Sequence, residues 1–173
     1  MTEPHAPDPS WPRYTTTPFP PYRYVPGKQP HPRNSPLGHS YGGPEPQLAA
    51  FPAEGWRQAE GYLYGIDLYN YAYWWECHEV FESLWHAVGK KTEQGNFFQA
   101  LIQLAAGNLK HVVGNLQAAD NLIKRGLIRL ENVPDRYMGV DVTGLSEDVR
   151  RYGIGPAKQP VLIRLAGSIE PLK

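Results

Sequence analysis

From position 54 onward, apolar and polar positions follow a helical period. Trp56, Ala59, Leu63, Ile66 and Tyr69 recur at three- and four-residue spacing, the apolar stripe of a first helix near residues 54–69. Asn70 is placed to cap the next. A second helix, near 72–88, turns Trp74, Cys77, His78, Phe81, Leu84, Trp85 and Val88 to one side and Glu76, Glu79, Ser83 and His86 to the other. It is expected to stop at Gly89, where Lys90 and Lys91 complement the negative end of the helix dipole. A third helix, near 93–114, carries a wide apolar face from Phe97 to Val113 and a polar stripe of Asn96, Gln99, Gln103 and Lys110. A fourth, near 116–131, ends before Pro134. Beyond it the period fades to a short turn capped by Ser146 and an extended edge segment from Pro160 to Leu165. The pattern predicts an all-α fold, a small antiparallel bundle of about four to five helices.

Composition changes the picture at the N-terminus. Of 18 prolines, 14 fall within residues 1–52, which rules out a regular helix of any length there. The segment is also rich in rings, among them Trp11, Tyr14, Phe19, Tyr22, Tyr24, Tyr41 and Phe51, whereas disordered chains are poor in aromatics. The expected organisation is a disordered tail (1–10), an extended Pro/aromatic-rich strap packed on the body (11–52), a helical domain (53–133) and an irregular C-terminal extension (134–173).

Charge and cysteine content narrow the function classes. Seventeen Lys and Arg balance seventeen Asp and Glu, so no basic field exists to hold a phosphate backbone and no nucleic-acid partner is expected. No apolar run approaches the roughly 18 residues of a membrane span, and the first ten residues read as no secretory signal, so no membrane role is expected and the assigned location is cytoplasmic. A single cysteine, Cys77, excludes an internal disulfide framework and a Cys-rich zinc site.

The unusual position is His78, on the apolar side of the second helix with Glu82 one turn later and Trp85 beyond it. Residues four apart project from the same side of a helix, so His78 and Glu82 can share a metal ion, or Glu82 can orient the imidazole as a base. His78-Glu79-Val80-Phe81-Glu82 departs from the zinc pattern H-E-x-x-H because a glutamate replaces the second histidine. Neither a phosphate-binding Gly-rich loop nor a nucleophile elbow is expected. In the arm, His31 and His39 stand between prolines and glycines and are candidates to complete a metal site with His78 and Glu82.

These residues have a familiar order. D-L-Y-N at 67–70, Y-W-W-E-C-H-E-V-F-E-S-L-W at 73–85 and A-L-I-Q-L-A-A at 100–106 resemble the bacterial domain-of-unknown-function family 309, whose signature H-x-x-x-E-x-x-W falls here on His78, Glu82 and Trp85. The arm's P-G-x-x-P-H-P and G-H-S-Y-G segments are similar to those of a longer subgroup. His86 and Ala100 depart from residues common in the family at those places. The resemblance, over roughly residues 20–131, implies a small helical domain with a ligand site at the signature, and no particular reaction.

Two readings follow. In one, a pocket at the bundle–strap junction binds a small molecule or a divalent metal and supports proton transfer or hydrolysis. His78 and Glu82 carry the chemistry there, Trp85, Tyr73, Gln103, Asp67 and Asn70 line the pocket, and His31 and His39 add metal ligands. In the other, the protein is a non-catalytic interaction module, a homodimer, with His78–Glu82 as a buried core hydrogen bond.

Overall fold

The computed structural model describes residues 3–167; the start of the expected tail (1–2) and the end of the C-terminal extension (168–173) lie outside the described residues. A 3-10 turn at Ala53–Gln58 leads into α1 (Glu60–Asn70), α2 (Trp74–Val88), α3 (Glu93–Val112) and α4 (Leu116–Leu130). A two-stranded hairpin, β1 (Arg136–Tyr137) and β2 (Val140–Asp141), then precedes α5 (Val142–Tyr152). The molecule is a packed helical bundle, as the periodicity predicts.

The helices close on a core of Tyr62, Ile66, Cys77, Phe81, Leu84, Phe97, Phe98, Leu101, Leu104 and Ile123, each almost wholly removed from solvent. Four of its rings (Tyr62, Phe81, Phe97 and Phe98) meet within 6.2 Å between centroids. Such contacts hold the crossing of α1, α2 and α3 by shape as well as by buried area. Thr92 caps α3 by accepting from Gly95 N–H, and Asn115 caps α4 by accepting from Ala118 N–H.

Three local expectations are corrected. The first helix begins at Glu60, because Pro52 and the tight 3-10 turn hold residues 53–58 apart from it. Asn70 caps nothing: α2 starts after Tyr73 with no side-chain cap, and the Asn70 amide turns toward the C-terminal segment. The expected turn at Ser146 is the middle of a full helix, α5, whose N-cap is Asp141 accepting from Gly144 N–H at 3.0 Å. The preceding hairpin turns through Met138 and Gly139, both at positive φ, a pairing that suits a tight antiparallel connection. Gly139 is required there twice over, since a Cβ would stand 2.6 Å from the Trp56 ring. The stretch near Pro160 forms no strand; Leu165 makes one antiparallel bridge to Val140.

Residues 3–52 contain no helix or strand. Asp67 on α1 accepts hydrogen bonds from Tyr14 N–H, Thr15 N–H, the Thr15 hydroxyl and the Arg13 guanidinium, at 2.7–3.3 Å. Asn70 bonds both the N–H and the carbonyl of Ile163, and Trp11 Nε1–H donates to the same carbonyl. Tyr24 and Val25 are buried. Among the described residues no helix is long and apolar enough to cross a membrane.

Candidate functional site

The helical rotation of α2 sets what each of its side chains can reach. The core direction is fixed by Trp74, Cys77, Phe81 and Leu84. At 100° per residue, His78 lies roughly 90° off that direction on one flank and Glu76 roughly 110° off on the other. His78 therefore stands at the edge of the apolar stripe, with its side chain 33% exposed, and Glu82 is 41% exposed. This overturns the picture of a buried His78–Glu82 core hydrogen bond. Nor are the two close enough for one, with His78 Nε2 3.5 Å from Glu82 Oε2.

Glu79 completes the cluster. Its Oε1 is 3.6 Å from His78 Nδ1, so the imidazole stands between two carboxylates, each beyond hydrogen-bonding distance. One ligand atom from each of His78, Glu79 and Glu82 lies within 4.8 Å of the others, the one metal-compatible cluster among the described residues. Glu79 Oε2 is held by Arg33 Nε at 3.1 Å, which leaves Oε1 for the imidazole side. On the outer side His86 Nε2 stands 3.8 Å from Glu82 Oε1. A cleft of about 250 Å³ opens beside the cluster, lined by Glu45, Pro46, Glu79, Glu82, Ser83 and His86. Ser83 is fixed in its wall by accepting from Leu48 N–H at 2.9 Å.

The remaining predicted residues lie elsewhere. His39 Nε2 bonds Glu76 Oε1 at 3.1 Å, because Glu76 is buried on the flank of α2 that the arm crosses instead of facing solvent. His31 sits edge-on to Trp75 and Tyr24, and its Nδ1 accepts from Arg33 N–H and Asn34 N–H. Neither histidine joins His78. Tyr73 stacks on Phe19 at 4.8 Å beneath the Arg23 guanidinium. Asp67 and Asn70 are occupied with the N- and C-terminal segments as described. Trp85 packs beside His86 with Lys90 over its ring, and Gln103 is half-buried on α3; Trp85 Nε1 and Gln103 Oε1 have no hydrogen-bond partner.

Sequence reasoning missed Glu79 and Arg33 as parts of this surface and set Glu76, which is buried on the opposite flank, among the outward-facing residues. Glu79 was legible in the H-E-x-x-E string once His78 is placed at the stripe's edge. Arg33 was not, because its partner is set by the course of the arm. A nucleophile-elbow string is present after all, since Gly38-His39-Ser40-Tyr41-Gly42 reads G-x-S-x-G. It lies on consecutive turns instead of between a strand and a helix, the context that exposes such a serine. There Ser40 Oγ bonds His39 Nδ1 at 2.8 Å, and the ring's other nitrogen reaches Glu76. Burial raises the Glu76 carboxyl above its ordinary range, opposed by the bonds from Tyr24 N–H and His39. Burial also pushes the Cys77 thiol well up, which leaves it unreactive.

No curated protein matches the chain. Residues 62–122, most of α1, all of α2 and α3 and the first half of α4, match the model of the family described as domain of unknown function (DUF309), and this match takes in His78, Glu79 and Glu82.

Proposed function

We propose that His78, Glu79 and Glu82 bind a divalent cation at the edge of the cleft beside α2, and that the cation's open positions serve metal-assisted hydrolysis of a small molecule. The observation that carries this reading is that one ligand atom from each of His78, Glu79 and Glu82 lies within 4.8 Å of the others, with all three groups part-exposed to solvent. Neighbouring ligand atoms around a first-row ion stand roughly 3–3.5 Å apart when each metal–ligand bond is about 2.0–2.2 Å, so the three side chains need only small rotamer shifts to close on one cation.

A neutral imidazole with two carboxylates suits manganese, iron or zinc better than the all-oxygen shells of calcium or magnesium. Three protein ligands leave positions for water and substrate, and a bound cation acidifies such a water enough to make it a nucleophile near neutral pH. Arg33 fixes the rotamer of Glu79, while His86, beside Glu82, is within reach of a proton released into the cleft. Glu45 and Ser83 supply acceptor and donor groups on the substrate side.

Calorimetric titration of manganese and of zinc into the metal-stripped full chain tests this. Stoichiometric binding in the wild type is expected, weakened at least tenfold in His78→Ala and in Glu82→Gln, with the helical circular dichroism of each variant unchanged. Equal affinity in the folded variants, or no binding by the wild type, overturns the proposal.

A further inference from the structure

A second cleft, of about 170 Å³, lies where α2 and α3 meet the first residues of the chain and the segment after α5. On its wall is Lys158, 7% exposed, whose Nζ donates to Asn108 Oδ1 at 2.7 Å. An ammonium has three donors, and this is the one hydrogen bond that the Lys158 ammonium makes among the described residues. Asp120 on α4 attracts it from a distance while spending Oδ1 on Gly155 N–H at 3.1 Å. A cation taken out of water without a paired carboxylate is costly, and a fold that retains one leaves a place for an anion.

Two more polar groups on the same wall lack partners. Trp74 Nε1, a donor by its chemistry, and His111 Nε2 are buried with no hydrogen bond. Pro4, Pro7, Val112 and Pro160 supply the apolar remainder, with His5 and the exposed Glu3 also on the lining. The volume is below the roughly 300–1,000 Å³ of pockets for drug-sized ligands, so the occupant is small.

We propose that this cleft is a binding site for a small carboxylic acid, its carboxylate paired with Lys158 Nζ and the Trp74 indole N–H and its short apolar body against the prolines. The site shares no residue with the His78 cluster and does not rest on the reading given to it. Burial lowers the Lys158 amine to about 8, so the cation is mostly present at pH 7 and is lost above pH 8. Of the other ionisable groups facing it, Asp120 opposes that shift, Tyr69 stays protonated because burial raises it far above its ordinary value, and His5, His111 and Glu3 complete the surroundings.

The test is an NMR titration of the full chain with acetate, butyrate, benzoate and phenylacetate, with benzamide and benzyl alcohol as neutral controls. At least one acid is expected to bind at pH 7 and shift the Trp74 indole signal while the neutral analogues do not. Its affinity should fall at least tenfold at pH 9.5 and in Lys158→Met, and severalfold in Trp74→Phe, which keeps the ring and deletes the N–H. Manganese binding by these variants should equal that of the wild type. Failure of every acid to bind, equal binding of acid and neutral analogue, or undiminished affinity in Lys158→Met or, if that variant does not fold, in Trp74→Phe overturns the proposal.

Discussion

Glu76 is a carboxylate that burial disfavours, held by the two groups that need it. Its Oε1 accepts from Tyr24 N–H at 2.9 Å and from His39 Nε2 at 3.1 Å, while Oε2 has no partner. Because burial outweighs these bonds, the native carboxyl keeps its proton to a higher pH than the ordinary 4.5. Between 4.5 and that raised value the folded state binds more protons than the unfolded chain, so this group's contribution to stability falls as pH rises and levels off above the window. Glu76→Gln keeps the acceptor and removes the ionisation. Urea denaturation from pH 4 to pH 8 should therefore show stability of the variant rising relative to wild type across the window. His39 is common to both proteins, so the difference isolates position 76. Glu76→Ala strands Tyr24 N–H and should cost about 1–3 kcal/mol; a loss for Gln as large as that for Ala would count against the account. The residue-scale error of the sequence reading has the same origin. Residues 76 and 78 flank the core direction on opposite sides, and helical period alone cannot tell which flank a non-helical segment will cover.

At the scale of elements, α3 and α4 approach closely because glycines face across their contact. A Cβ on Gly107 would stand 2.7 Å from Ile123 Cδ1 and 3.2 Å from the Ala119 carbonyl, and one on Gly126 would meet the Ala100 carbonyl at 3.2 Å. Alanine in place of a helical glycine gains about 1 kcal/mol of intrinsic preference, while overpacking a filled interface costs about 1–3 kcal/mol. At Gly107 the backbone carbonyl cannot yield as an isoleucine end can, so overpacking wins and Gly107→Ala should be destabilised. Ile123→Val removes the nearest atom. The double variant should then be more stable than the sum of the two single changes, a coupling that thermal denaturation reads directly. Additivity would show that the helices simply shift apart. The four main helices were legible because each buries a long periodic face; α5 was not, although Asp141 three residues before Gly144 carries its cap. This helix is as long as α1 but buries only Val142, Leu145, Ser146 and Val149, and it starts directly after the hairpin.

Over the whole molecule, the buried polar groups of α1 and α2 bind chain from both ends. Asp67, fully buried, takes five hydrogen bonds from Arg13, Tyr14 and Thr15, and the Tyr14 hydroxyl in turn accepts from Leu165 N–H at 3.0 Å. Trp11 and Asn70 meet on the Ile163 carbonyl. The ordering of residues 11–15 and 163–165 is therefore coupled through shared partners, while α3 and α4 contribute none of these bonds. Asp67→Ala leaves four donor groups without their acceptor and should cost about 3 kcal/mol, the usual penalty for breaking a buried charged pair. Native-state hydrogen exchange distinguishes local from global loss. In the wild type, the amides of Tyr14, Thr15, Ile163 and Leu165 should exchange slowly. In Asp67→Ala all four should speed up together, with Leu101 and Leu104 falling only by the change in global stability. If Tyr14 and Thr15 open while Ile163 and Leu165 stay protected, the two termini are held independently. If all four exchange freely in the wild type, the contacts at Asp67 and Asn70 do not order them. Arg33 belongs to the same arm and sets Glu79, so slow exchange here, followed by loss in the variant, also predicts weaker manganese binding by Asp67→Ala.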